Sequence, residues 1–170
     1  MTERSAYTDE EWASIVAAPV GVIAAVIGAS PNGPLGISQE VAAAVRAFER
    51  AAETHRENPL IAALLLTLRD RFNAYMGKAP ADAAAAQVDI FALGRDPARA
   101  VAACREAATL LAERAPPAIA ADVRSWLVEL GEAVAQAASE GGFMGIGGEQ
   151  VNAKERAILA EIAAALAAPA

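Results

Sequence analysis

His55 is the only histidine of the 170-residue chain and Cys104 its only cysteine, so acid–base or nucleophilic chemistry would have to be assembled around one or both. Glu53, His55 and Glu57 are close in sequence. Positions two apart on a helix, however, lie about 200° apart around its axis, so Glu53 and Glu57 share a face that His55 does not join. Glu49, Glu53 and Glu57 at steps of four, interleaved with Arg46, Arg50 and Arg56, read as a solvated charged face. A di-iron bundle needs paired Glu-x-x-His units, which one histidine does not supply. Serine catalysis would need the same histidine as base, and no Gly-x-Ser-x-Gly elbow occurs. Cys104 shares a stripe with Val101, Ala108 and Leu111, the setting of an inert core thiol.

The other candidate is the stretch from Gly141 to Gly148, with five glycines in eight residues. It lacks the Lys-Ser/Thr pair of a phosphate loop and follows a helix rather than a strand. Glu140, Glu149, Asn152 and Glu155 around it are oxygen donors of the kind that ligate Ca²⁺ or Mg²⁺, although their spacing is not that of an EF-hand. Phe143, Met144 and Ile146 give the same stretch apolar anchors for a partner. No cofactor motif accompanies them.

Bulk properties narrow the classes. Net charge is −7, with 21 acidic against 14 basic residues. That sign opposes the electrostatic term behind nucleic-acid binding and association with anionic membranes. A lone cysteine permits no internal disulfide and fits a reducing cytoplasm. Asp9, Glu10 and Glu11 precede the first apolar run, where a signal peptide needs a cationic start. That run, Ile15 to Ala29, contains Pro19, Gly21 and Gly28 and falls short of the ~20 residues that span a bilayer. It reads as a buried core helix, with no membrane insertion. Alanine makes up roughly a quarter of the chain, favouring helices that approach one another closely.

The elements that position these residues are helices throughout. Thr8 and Glu11 form a capping box, and the helix they open meets Pro19, which kinks it or starts a second one. From Ile15 to Ile27 apolar residues lie all round, as in the central element of a bundle. Gly28 to Gly36 breaks the pattern, and Ser38 caps a helix carrying Val41, Val45 and Phe48 that reads on through Arg56. Asn58-Pro59 starts another, with Leu60, Leu64, Leu68 and Phe72 inward and Arg69, Asp70 and Asn73 opposite. A short helix is expected over 81–93. Asp96-Pro97 caps the Cys104 helix, and Pro116-Pro117 separates it from a long helix with Ile119, Val123, Trp126, Leu130 and Val134 inward. Asn152 with Glu155 forms a second capping box before Ile158, Ile162 and Leu166. Seven or eight helices with short connections predict one all-α domain over residues 1–170, an antiparallel bundle.

Two glycine breaks match: Gly33-Pro34-Leu35-Gly36-Ile37 and Gly142-Phe143-Met144-Gly145-Ile146. Both follow an alanine-rich helix that carries a tryptophan (Trp12, Trp126) and ends in Ala-Ser, and both precede a Ser- or Asn-capped helix. This predicts two pseudo-repeated helix–glycine loop–helix units, about 10–55 and 118–167. Leu35, Ile37, Phe143, Met144 and Ile146 either fold back to cap the core or stand exposed as partner-binding tips. The doubled unit, Ala29-Ser30 through Ile37-Ser38-Gln39-Glu40 and Ala138-Ser139 through Val151-Asn152-Ala153-Lys154-Glu155, resembles that of the TerB-like tellurite-resistance helical proteins. The resemblance implies an all-helical two-repeat fold, a cytoplasmic or membrane-peripheral stress role and, in some members, acidic loop residues that bind divalent metal. Where the family pattern has Asp-Gly in the turn, this chain has Asn32-Gly33 and Glu140-Gly141. The expected function is thus a non-enzymatic helical module in a bacterial stress or assembly pathway, working through protein contacts or homo-oligomerisation. The alternative is a divalent-metal or small-ligand protein with its site at the two glycine loops.

Replacing Phe143 by Ala separates a binding loop from a core plug. A binding loop loses partner or ligand binding with little change in melting temperature; a plug loses about 3–5 kcal/mol of stability.

Overall fold

The computed structural model describes residues 3–29, 33–75, 96–140 and 151–167, and among them it contains helix and no strand. After a 3-10 turn at Glu3–Ala6 come six α-helices: α1 (Asp9–Ala29), α2 (Gly33–Thr54), α3 (Pro59–Tyr75), α4 (Pro97–Arg114), α5 (Pro117–Glu140) and α6 (Ala153–Ala167). Segment 81–93, expected as a helix, lies outside the described residues.

The start of α1 is built as its residues dictate. The Thr8 hydroxyl accepts from the Glu11 amide at 3.2 Å, and the Glu11 carboxylate accepts from the Thr8 amide at 2.9 Å, so two of the unpaired donors at the helix start are satisfied reciprocally. That amide, followed by the Arg114 guanidinium 2.6 Å from Glu11, holds the Glu11 carboxyl below its ordinary range. Arg4 pairs with Asp9 and lies over the Trp12 ring, which in turn leans on Tyr7.

Pro19 neither ends α1 nor starts a new helix: the element runs unbroken from Asp9 to Ala29. Proline costs an interior helix one hydrogen bond and a steric conflict, and here burial outweighs both. Every residue from Ala18 to Val26 is buried, as are Trp12, Ile15 and Val16. The helix is long and apolar enough by composition to cross a membrane, yet 67% of its most apolar window is covered by protein.

The cover comes chiefly from α4, α5 and α6. Helices α1 and α4 run antiparallel: Glu11 meets Arg114 at one end, Ser14 donates to Glu106 at 3.0 Å, and Gly21 lies against Ala100 further along. Val101, Cys104, Ala108 and Leu111 are buried as the stripe requires, behind an Asp96 cap that accepts from the Arg99 amide at 3.2 Å. Helices α2 and α5 are also antiparallel, with Phe48 tilted against Trp126 at 6.4 Å and His55 beside Asp122. Val123, Trp126, Leu130 and Val134 point into the core, with Ile119 half-buried at its edge. In α6, Ile158, Ile162 and Leu166 do the same.

Three expectations are corrected. Gly33 to Gly36 is the first turn of α2 and not a loop capped by Ser38; Pro34 there needs no amide partner and brings a helical φ. The helix ends at Thr54, and residues 55–57 form a turn closed by the Asn58 amide on the His55 carbonyl at 2.9 Å. Phe72 is 43% exposed although it continues the stripe of Leu60, Leu64 and Leu68, whereas Leu66, between two buried leucines of that stripe, faces away from it and is 52% exposed.

Two glycines lie against neighbouring helices. A Cβ at Gly131 would stand 2.8 Å from a Leu159 methyl and 3.1 Å from a methyl of fully buried Val22, whereas one at Gly21 would meet Ala100 at an ordinary 3.4 Å. Gly131→Ala gains about 1 kcal/mol of helix propensity. The partly buried Leu159 methyl can turn aside, but fully buried Val22 cannot, and overpacking of about 1–3 kcal/mol leaves this variant less stable than Gly21→Ala. Gly21→Ala should be neutral or gain up to about 1 kcal/mol from helix propensity. Urea denaturation of both variants checks the difference, and equal effects would contradict this packing.

Candidate functional site

Of the residues expected to bind a partner or metal, Phe143, Met144, Ile146 and Glu149 lie outside the described residues. Leu35 stands in the first turn of α2, Ile37 is partly buried in the next, and Glu140 is the last residue of α5. Asn152 and Glu155 are brought together by the cap of α6. The Asn152 side-chain oxygen accepts from the amides of Lys154 and Glu155 at 2.8 and 2.9 Å, while the Glu155 carboxylate accepts from the Asn152 amide at 2.8 Å. Glu155 is 2% exposed, so its carboxylate works as a buried strut of the helix start. Among the described residues no three His, Cys, Asp or Glu side chains are grouped as metal ligands.

Next to that cap is a shallow, mostly apolar depression of about 400 Å³. Gly28 and Ala29 of α1, Pro97 of α4, and Lys154, Ala157, Ile158 and Glu161 of α6 line it. The chain thus enters the first glycine segment and leaves the second one beside the same depression. Ala157 is exposed on its wall and Ile158 is buried beneath.

A polar cluster missed in the sequence reading lies elsewhere, where the α2–α3 turn meets α5. His55 Nδ1 is 2.8 Å from one oxygen of Asp122, and its Nε2 is 3.5 Å from Glu129. The other Asp122 oxygen accepts from the Asn58 amide nitrogen at 2.9 Å, which also donates to the Ile119 carbonyl at 3.2 Å. The Asn58 side-chain oxygen caps α3, accepting from Leu60 and Ile61 at 3.0 and 3.1 Å. Ser125 completes the row by donating to Glu129 at 3.2 Å. Asn58 is 3% exposed, and its buried amide is satisfied on both sides. The cluster opens on a depression of about 540 Å³ floored by Asn58 and Ile119.

Chemically this is a connector. Both imidazole nitrogens face carboxylates from α5, and the nearest hydroxyl of the turn, Thr54, donates to the Arg50 carbonyl at 3.0 Å. Glu53 and Glu57, the carboxylates next to His55 in sequence, are exposed, whereas its partners lie 67 and 74 positions along the chain. The available signal was faint: Asp122 and Glu129, two turns apart, share a face beside the apolar stripe of α5.

The fold and these contacts define an all-α helical bundle with a buried apolar central helix. The chain matches no protein-family model, no curated protein and no solved structure.

Cys104 is fully buried, and its removal from water pushes the thiol up to about 12 from an ordinary value of 9.0. A native-state thiol reagent at pH 8 should therefore label it only through unfolding, and rapid labelling would contradict this burial. Because the folded value is the raised one, the thiol contributes stability in full below about pH 9 that drains away as pH rises toward about 12. Alkaline denaturation of Cys104→Ala should lack that component.

Proposed function

We propose that this chain is a non-enzymatic helical module of a bacterial stress or assembly pathway, acting in the cytoplasm through protein contacts at the end of the bundle where its two glycine segments attach. The observation that carries the reading is the depression shared by the end of α1 and the first turns of α6. It is shallow and largely apolar, with Lys154 and Glu161 as charges on its wall, a surface suited to a protein segment rather than an enclosed small molecule. The resemblance of the two glycine units to TerB-like proteins points the same way.

Within this reading α1–α2 and α5–α6 are two copies of one helix–turn–helix unit, and a further helix over 81–93 brings the bundle to seven. Gly21 and Gly131 both lie inside long helices, α1 and α5. With Ala29 matched to Ala138, however, they fall one position out of register, and Gly21 faces α4 while Gly131 faces α1 and α6. The tryptophans are less well matched: Trp12 is the fourth residue of α1 and Trp126 the tenth of α5. An experimental structure in which the two pairs have unrelated crossing angles would end the duplication.

The docking claim is tested in cells with a photo-crosslinking side chain at position 157, exposed on the depression wall, and at position 52, exposed on α2. One discrete adduct from position 157 and none from 52 is expected; a mass of two chains would identify the partner as a second copy. If the folded protein gives no adduct specific to position 157, this reading is wrong.

A further inference from the structure

We propose that α3 is a detachable arm, latched to the bundle through Asp122, and that release of this latch uncovers the apolar stripe of Leu60, Ile61, Leu64 and Leu68 while the rest of the bundle stays folded. Three observations carry this. Among the described residues α3 contributes little to enclosing the central helix: α1 buries 12 of its 21 residues chiefly against α4, α5 and α6. Among the described residues helix α3 lies at the edge of the bundle, with those four aliphatics joined to the core, Leu66 and Phe72 exposed, and the N-terminal 3-10 turn among its main neighbours.

The third observation is how the arm is fastened. One carboxylate, Asp122, holds both sides of the hinge, with one oxygen on His55 and the other on Asn58. Asn58 is also the cap of α3, so the bonds that start the helix and the bonds that dock it pass through one side chain. Asp122 lines the open depression, where water competes for its hydrogen bonds and lowers their net worth. An apolar stripe alone would hold α3 without specifying the turn; the carboxylate adds a fastening of the turn that rests on a single solvent-accessible group. Segments with few buried contacts and water-exposed fastenings open below the global unfolding limit.

The test is native-state hydrogen exchange on the full chain at rising denaturant. Amides of 64–72 in α3 should exchange through a shallower opening than amides of 16–26 in α1. Asp122→Ala should speed the α3 set by about tenfold or more, the loss of two buried-edge hydrogen bonds, and leave the α1 set unchanged. Asp122→Asn, which keeps the shape and can still accept one bond, should fall between. Labelling of Cys104 in α4 reports whole-bundle unfolding and should not accelerate in either variant. If α3 and α1 exchange together in the native chain, or both variants speed them equally along with Cys104 labelling, α3 is an integral part of the bundle and the proposal is overturned.

Discussion

Helix α1 sets the problem that the rest of the structure solves. Seven successive residues, Val20 to Val26, are buried, nearly two full turns, so no side of the helix is available to water. Leaving such a rod exposed forfeits about 25 cal/mol for each Å² of apolar surface. Only a ring of neighbours removes that surface, and α4, α5 and α6 supply most of it.

The alanine-rich composition follows from that arrangement. A central helix enclosed by several others requires short interaxial distances, which small side chains at the contacts permit. Ala100, Ala107 and Ala108 on α4 and Ala120 and Ala135 on α5 are buried, and Gly131 stands where a Cβ would press on Leu159 and Val22. Large side chains are kept for the gaps between helices, as with Trp126 against Phe48. A core of this kind is sensitive to added atoms, because side chains already in contact have nowhere to move.

Among the described residues three polar or charged side chains are buried: Glu40 lies inside α2, and the other two stand where helices begin. Asn58 and Glu155 are both buried, and both close the first turn of a helix by accepting backbone amides or by bonding the cap residue. A buried polar side chain is tolerated when its bonds are made, and a helix start offers donors that have no other partner. Asn58 also reaches across to α5 through Asp122, so one residue starts α3 and ties it to another helix. The carboxylate and amide ligands that looked suited to a metal at Asn152 and Glu155 do the same structural work in α6.

Much of this was legible in the sequence because it is local. Capping boxes at Thr8 and Asn152, the Asp96 cap, the stripe through Cys104 and the all-round apolar run of α1 depend on neighbours three or four positions away, and each forms as its residue types require. Where the reading failed, distant atoms decided. Pro19 reads as a kink or the start of a second helix, and within the enclosing helices α1 continues through it as one element. Gly33-Pro34 reads as loop until it is seen as the first turn of α2. Phe72 follows the period of its stripe and is nonetheless 43% exposed. His55 found its partners on α5, far along the chain. Periodicity and capping obey short-range sterics and hydrogen bonding, so residue types alone determined that the chain is helical and where several of its helices are capped. Which side chain meets which across the bundle depends on how those helices pack, and that only the tertiary structure decided.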